Sequence, residues 1–421
     1  MSRSKNAPGP RGSSAPAATV PGPPLLTVGV EEEFLLVDPY TRSLVPVASP
    51  VIATARAKLD DLVTPELTCY QAETRTEPHR NLGALAEQLY ANRLLLSRAA
   101  AAHGAGLVST GTPVLSPAGA PPVMPGERYE RSARAFGALD EEQVCCACHV
   151  HVGMDSHEEA VQVSNRLRPW IAVLIAAAAN SPLWGGRDTG HASWRTVCWA
   201  RWPAAGPPPY FESAAHYDDV VATLIGTGVV LDAGGIYWDI RPSHHLPTLE
   251  VRLADAALTV DDTVLIAALV RAAAATALVE ARAGRPAPRP EPHLLRAASW
   301  RSAHDGLTGA ALDPVSREPA PSSRRMHSLL AWIRPALASH GDTSLVESLL
   351  KRLHLHGTGA VRQRAAARHR QRPADTVDYL LTHTLTPPGT HHRQVPAADG
   401  CRPGTTAARS RRRTRGGHPA D

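Results

Sequence analysis

The chain has 421 residues, 43% of them hydrophobic and 5% aromatic, enough for a sizeable core in one large domain or two ordinary ones. Its formal charge of +5 is a property of the ends. Residues 1–27 carry three basic groups and no acidic one, and residues 385–421 carry seven arginines and two aspartates, so the body between is at −3, a poor surface for nucleic acid. Six cysteines, three of them crowded into CCAC at 145–148, lack the paired spacing of a zinc site. In a large chain without a secretory h-region they point to reduced thiols and a cytoplasmic location. The apolar runs 171–179 and 264–279 are too short, or interrupted by Arg271, to span a membrane.

Taken in order, residues 1–25 are a Pro/Gly/Ser/Ala-rich lead expected to be disordered. Val28 to Val37, VGVEEEFLLV, predicts a strand stopped by Asp38-Pro39. Alternation puts Glu31 and Glu33 on one face and Glu32 on the other. Two carboxylates about 7 Å apart on one strand face call for a cation, and a hard divalent ion suits them. Residues 41–47 suggest a short strand pairing back, and 51–60 a short helix. The segment 65–76 is strand-like in parts, with acids at Glu66 and Glu73. Residues 81–102 form an amphipathic helix with Gly104 as its C-cap, and 107–111 a buried strand. A Pro/Gly loop covers 112–127.

VCCACHVHVGM at 144–154 predicts a second key strand with His149 and His151 on one face. Asp155 or Ser156 caps the helix that follows, which must kink or restart at Arg168-Pro169 and ends near residues 180–182. Residues 183–212, rich in Trp, Arg, Gly and Pro, are too long for an idle loop and suit the wall or lid of a pocket. A helix at 214–225 precedes strands at 236–241, with Tyr237, Asp239 and Arg241 on one face, and 248–254, with Glu250 and Arg252 on one face. Helices follow at about 261–283, 291–304, 323–339, 343–356 and 359–370. GTGA at 357–360 is weakly phosphate-loop-like and better suits a helix N-terminus.

Four strands thus place two charged or imidazole groups at i and i+2: Glu31/Glu33, His149/His151, Asp239/Arg241 and Glu250/Arg252. Together they describe the polar face of one antiparallel sheet. Carboxylates with an imidazole suit divalent cations, and arginines opposite them suit phosphate oxygens, so the set fits in-line phosphoryl transfer. Neither GxxxxGK[ST] nor a GxGxxG after a strand is present. A zinc hydrolase using the HVH pair, and a non-catalytic binder of nucleotide or amino acid, remain as other classes.

The run GVEEEFLLVD, ETRT, HVHVG, ANSPLWGGRDTG, RWPAAGPP, YWDIRPS, PTLEVRLAD and GTGAVRQR resembles the carboxylate–amine ligase family, or type 2 glutamate–cysteine ligases, from about residue 27 to 384. The resemblance implies an α+β, glutamine-synthetase-like fold: an antiparallel sheet curved into a funnel with helices on its outer face. It implies one catalytic domain over 26–384; the basic residues 385–421 beyond it repeat the low-complexity pattern of the lead and are expected to be disordered. It implies ATP, Mg2+ or Mn2+, and amide formation from glutamate and cysteine through γ-glutamyl phosphate. Glutamate or another carboxylate, and cysteine or another amine, are then the partners, with no nucleic acid and no membrane; a homodimer is left open. Carried over, Glu31, Glu33, Glu66, Glu73, His149 and Glu250 match metal ligands, and His151 lies nearer the nucleotide. Arg252 steadies the transferring phosphate, and Arg241 is a candidate for the substrate carboxylate or phosphate. The chain departs from the family pattern at Ala147 (commonly Gly), at His191 (commonly Tyr) and at Gly111-Thr112-Pro113, which lacks a following His.

Overall fold

The computed structural model describes residues 22–115, 119–370 and 372–390. The expectations for the two ends fall largely outside them. The described edges are held: Pro23 and Pro24 carbonyls accept from Ser339 and His340, and the Gly389 amide donates to Asp261.

Nine strands concern the site and its surroundings: β1 (Val28–Val37), β2 (Val63–Pro65), β3 (Gln71–Arg75), β4 (Gly106–Val108), β5 (Ala147–Gly153), β6 (Leu183–Trp184), β7 (Arg187–Asp188), β8 (Ile240–Pro242) and β9 (Thr248–Asp255); Ala310–Leu312 and Pro319–Pro321 pair with each other apart from them. Seven of them form one sheet in the order β2-β3-β1-β5-β9-β8, with β4 added alongside β1, and every pairing is antiparallel. β6 and β7 make a separate hairpin.

The even-numbered side chains Val28, Val30, Val150 and Val152 join Leu249 and Val251 in the main core. Against them packs the helix Val260–Arg282, long and apolar enough to cross a membrane by length and composition. Here it is the central core helix, touching β1 and β5 and the helices Leu82–Ala102, His157–Leu167 and Ser322–His340. Thr259 and Asp262 form a capping box at its start. Glu32, on the core face of β1 as its parity requires, is bound by the fully buried Arg93 at 2.6 and 3.0 Å. Arg93 also donates to the carbonyls of Ala257, Leu258 and Thr384, so one guanidinium ties strand, helix and C-terminal segment together.

The helix His157–Leu167, capped by Ser156, passes through a 3-10 turn at Arg168–Trp170 and restarts at Ile171–Ala178, as Pro169 demands. Several segments differ from the sequence reading; at 41–47, only an isolated bridge from Leu44 to Val37 forms in place of a strand. Residues 183–212 contain the β6–β7 hairpin and the helix Trp194–Trp199. The strand at 236–241 shrinks to Ile240–Pro242, because a 3-10 turn at Ala233–Gly235 breaks the alternation upstream. Helices at Glu127–Phe136 and Pro373–His383 were not foreseen. GTGA is a packing junction. Thr358 and Ala360 are buried, and a Cβ on Gly359 would sit 2.0 Å from Asn180 Oδ1. Gln363 then donates to Asn180 Oδ1 at 2.7 Å.

Candidate active site

Register brings the polar groups together. Directly opposed residues of antiparallel strands project from the same face. Glu33 faces Glu73, Glu31 stands between Arg75 on β3 and His149 on β5, and His151 faces Glu250, which faces Arg241. A register shift between Cys148 and Val150 lets β5 swing against β9 at this point. Glu66 enters from the turn after β2.

Three groups of ligand atoms result, each lying within 4.8 Å of one another: Glu31, Glu73 and His149; Glu31, His151 and Glu250; Glu33, Glu66 and Glu73. All six residues matched to metal ligands from sequence are in these groups, and His151 joins them. None includes a cysteine, and the five described cysteines are unpaired thiols.

The electrostatics show what the cluster lacks. Glu33 is pushed up to about 8 by burial and then by the Glu73 charge, although the Ala147 amide donates to it at 2.8 Å. Glu66 is pushed up to about 8 by burial and by Glu33, and Glu73 is raised well above its usual value by burial and by Glu31 and Glu66. Thr64 donates to Glu73 at 2.7 Å. These are buried carboxylates with too little positive charge nearby. Glu31 differs: burial would raise it, but His149 and His151 outweigh burial and hold it well below the usual range.

His149 is lowered to about 4, first by burial and then by Arg252, so its ring is neutral. Its Nδ1 lies 3.1 Å from Glu31 Oε2. An ionised carboxylate only accepts, so Nδ1 carries the proton and Nε2 keeps its lone pair. That Nε2 is buried, has no hydrogen-bond partner, and lies 3.7 Å from Glu33 Oε1. His151 repeats the arrangement: Nδ1 meets Thr248 Oγ1 at 2.9 Å, and the buried, unpartnered Nε2 lies 3.5 Å from Glu31 Oε1. Two imidazole nitrogens with nothing to bind, aimed at a knot of carboxylates, match the donor set of divalent cations.

The arginines divide. Arg241 binds Glu250 at 2.8 Å through Nε and spends Nη1 on the carbonyls of Ala233, Gly234 and Ile236. Arg252 pairs with Glu250 through Nη1, lies over the Tyr237 ring, and leaves its buried Nε without a partner. Between them they hold Glu250 well below the usual carboxylate range against the opposing effect of burial. Asp239, just before β8, is not among the residues around the acid cluster; burial raises it to about 7.

Two cavities meet at the cluster. One, of about 300 Å³, contains all the acids and both histidines and is walled by Tyr129, Trp199, Trp202 and Tyr237. Segment 183–212 thus supplies part of a pocket wall. The second, of about 740 Å³, is lined by Arg75, Thr76 and Arg80 and by Leu25, Leu62 and Leu246. Glu31 and His151 line both. Arg75 was passed over in the sequence, although Glu73/Arg75 repeats the i, i+2 signal of the other strands.

A family model described as Glutamate-cysteine ligase family 2 matches residues 27–384. A Frankia alni protein named "Putative glutamate--cysteine ligase 2-2" is 44% identical over 376 residues, covering 86% of this chain and 97% of its own length. A protein of the same name from Mycobacterium sp. is 47% identical over 360 residues, 85% of this chain and 98% of its own. Among solved structures, the glutamate–cysteine ligase of Francisella tularensis in complex with AMP aligns with a TM-score of 0.64 at 12% identity, over 86% of this chain and 89% of that one. The bifunctional glutathione synthetase from Pasteurella multocida aligns with a TM-score of 0.63 at 14% identity, over 85% and 52%. At such identities the structural likeness concerns the fold.

Proposed function

The chain belongs to glutamate–cysteine ligase family 2, and from that premise we propose that it joins the γ-carboxylate of glutamate to the amine of cysteine at the expense of ATP. Residues 26–384 act as one catalytic unit, its sheet curved into a funnel around the acid–imidazole cluster. The observation that carries this reading is the set of three overlapping carboxylate and imidazole groups with their two unpartnered Nε2 atoms.

Glu31, Glu33, Glu66, Glu73, His149, His151 and Glu250 would hold Mg2+ or Mn2+ there, since the set is rich in hard oxygen donors. A bound divalent cation supplies charge neutralisation for the triphosphate and the attacking carboxylate. The oxygen-dominated set also argues against a zinc hydrolase, whose metal favours more nitrogen or sulfur.

The chain's own groups do the rest. The 740 Å³ cavity suits the nucleotide, with Leu25, Leu62 and Leu246 against the base and Arg75 and Arg80 for phosphate oxygens. The aromatic cavity suits the amino acids. With Glu31 and His151 at the boundary, a γ-carboxylate oxygen entering from one side meets the terminal phosphorus entering from the other. The oxygen–phosphorus bond forms, the bond to ADP breaks, and γ-glutamyl phosphate results. Arg252, with a free Nε in the site, stabilises charge on the phosphoryl group in transit. The amine nitrogen of the acceptor then attacks the acyl carbon, loses its proton, and phosphate leaves. Arg241, saturated by Glu250 and three carbonyls, is a positioning residue for Glu250.

The test is ADP release from purified protein with glutamate, ATP and Mg2+ across a panel of amines including cysteine, with product identified by mass. Cysteine-dependent ADP release with γ-glutamylcysteine supports the proposal. If no amine raises ADP release above the amine-free rate, ligation is the wrong reaction.

A further inference from the structure

Resting on the ligase reading, a second feature of the aromatic cavity selects the donor. Of the three arginines on its wall, Arg241 and Arg252 are held by Glu250. Arg128 is not. It stands on the helix Glu127–Phe136, 59% exposed, and its Nη2 is 3.5 Å from Asp232 Oδ1. Asp232 is likewise set apart. The other acids on this wall are the five glutamates of the metal-competent groups and Asp140, which accepts from Ser132 at 2.7 Å. Arg128 and Arg131 approach Asp232 only at 3.5 and 3.6 Å, looser than a formed charge-assisted pair. The Gly235 amide fixes the Asp232 carboxylate at 3.2 Å. Gly234 lets both side chains come close to the backbone: a Cβ would lie 2.5 Å from Arg128 Nη2 and 3.0 Å from Asp232 Oδ1, so a larger residue would displace the arginine tip.

We propose that Arg128 and Asp232 form a zwitterion reader at the edge of the cavity, Arg128 taking the α-carboxylate and Asp232 the α-ammonium of the donor amino acid. A loosely associated cation and anion, side by side, complement the head of an α-amino acid charge for charge. Trp199, Trp202 and Tyr237 then line the path of the side-chain methylenes. The pair fits the donor and not the acceptor. Both α-groups of glutamate are spectators, whereas the α-amine of cysteine must be uncharged and free to attack. This makes Arg128 and Asp232 specificity residues for the γ-carboxylate donor, remote from the reacting atoms.

The experiment compares glutamate, glutarate (no α-amine) and 4-aminobutyrate (no α-carboxylate) as donors in the ADP-release assay, with cysteine and Mg2+, for the wild type, Arg128→Leu, Arg128→Lys and Asp232→Asn. Wild type prefers glutamate over both analogues. Arg128→Leu raises KM for glutamate by about tenfold to a hundredfold, with a smaller change in kcat. It erases the preference over 4-aminobutyrate while keeping that over glutarate; Arg128→Lys restores part of it. Asp232→Asn erases the preference over glutarate alone. Variants that keep the wild-type preferences, or lose both together, overturn the assignment. A wild type that releases no ADP with any donor removes the ligase reading, and this inference with it, which is a different outcome from an active enzyme with unaltered selectivity.

Discussion

Glu31 is the residue on which the site converges: it belongs to two of the three ligand groups, bonds to His149, and faces both cavities. Glu31→Gln keeps shape and removes charge, so the fold should persist while ADP release falls at least about 100-fold, the upper range for disturbing a metal's surroundings. Circular dichroism and a steady-state assay check both halves. The raised carboxyls give a second expectation. Glu33 and Glu66 bind protons more tightly folded, near 8, than at their usual 4.5. The folded state therefore holds more protons than the unfolded chain between these values. The stability that these two groups contribute to the metal-free protein is fully present below about 4.5 and is lost as pH rises through about 8. Melting temperature in EDTA should fall from pH 5 to pH 8.5. Added Mn2+ should raise it most at the alkaline end, because ligands bind once deprotonated. A flat EDTA profile would show that these acids are not strained by one another. Glu31, Glu33, His149 and Glu250 were legible in the sequence because period-two spacing survives in any strand. The commitment of Arg241 to backbone carbonyls was not, since it depends on the Ala233–Gly235 turn.

Among the elements, β1 and β5 were readable almost to the residue, and so were the long helices from Val260 onward, where apolar periodicity and capping residues agree. The shortened β8 and the helix Glu127–Phe136 were not, because their conformations come from contacts distant in sequence. Arg128 and Arg131 of that helix reach Asp232 and Leu231, a hundred residues away. The three consecutive glutamates of β1 show alternation at work, with the middle one assigned to Arg93 instead of the site. Arg93→Met should lower stability by about 3–5 kcal/mol, since it leaves a buried carboxylate unpaired. Combining it with Glu32→Leu should cost less than the two single changes summed, as urea unfolding would measure. The GTGA junction yields a different prediction. Gly359→Ala drives a methyl group into Asn180 and should lower both melting temperature and activity, although no atom of Gly359 lines either main cavity. Unchanged melting would mean that the helix Gly359–Arg370 is free to shift.

At the scale of the molecule, the sheet's two faces do different work. One is apolar and closed by the Val260–Arg282 helix; the other gathers acids, imidazoles and arginines from five segments of chain. A polar face was foreseeable from the repeated i, i+2 pairs. Its division into two cavities meeting at Glu31 and His151 was not, because the segment 24–27, the helix Glu127–Phe136 and the end of the helix Trp194–Trp199 supply walls from far along the chain. The proposed function puts a nucleotide and an amino acid on opposite sides of one cation cluster, which is the central claim. It is tested most directly by anomalous diffraction from crystals grown with Mn2+ and a non-hydrolysable ATP analogue. The account predicts Mn2+ peaks within coordination distance of Glu31, Glu73, His149 and Glu250, with the triphosphate reaching them from the side of Arg75 and Arg80. Peaks elsewhere on the chain, or nucleotide bound with those four side chains uncoordinated, would contradict it.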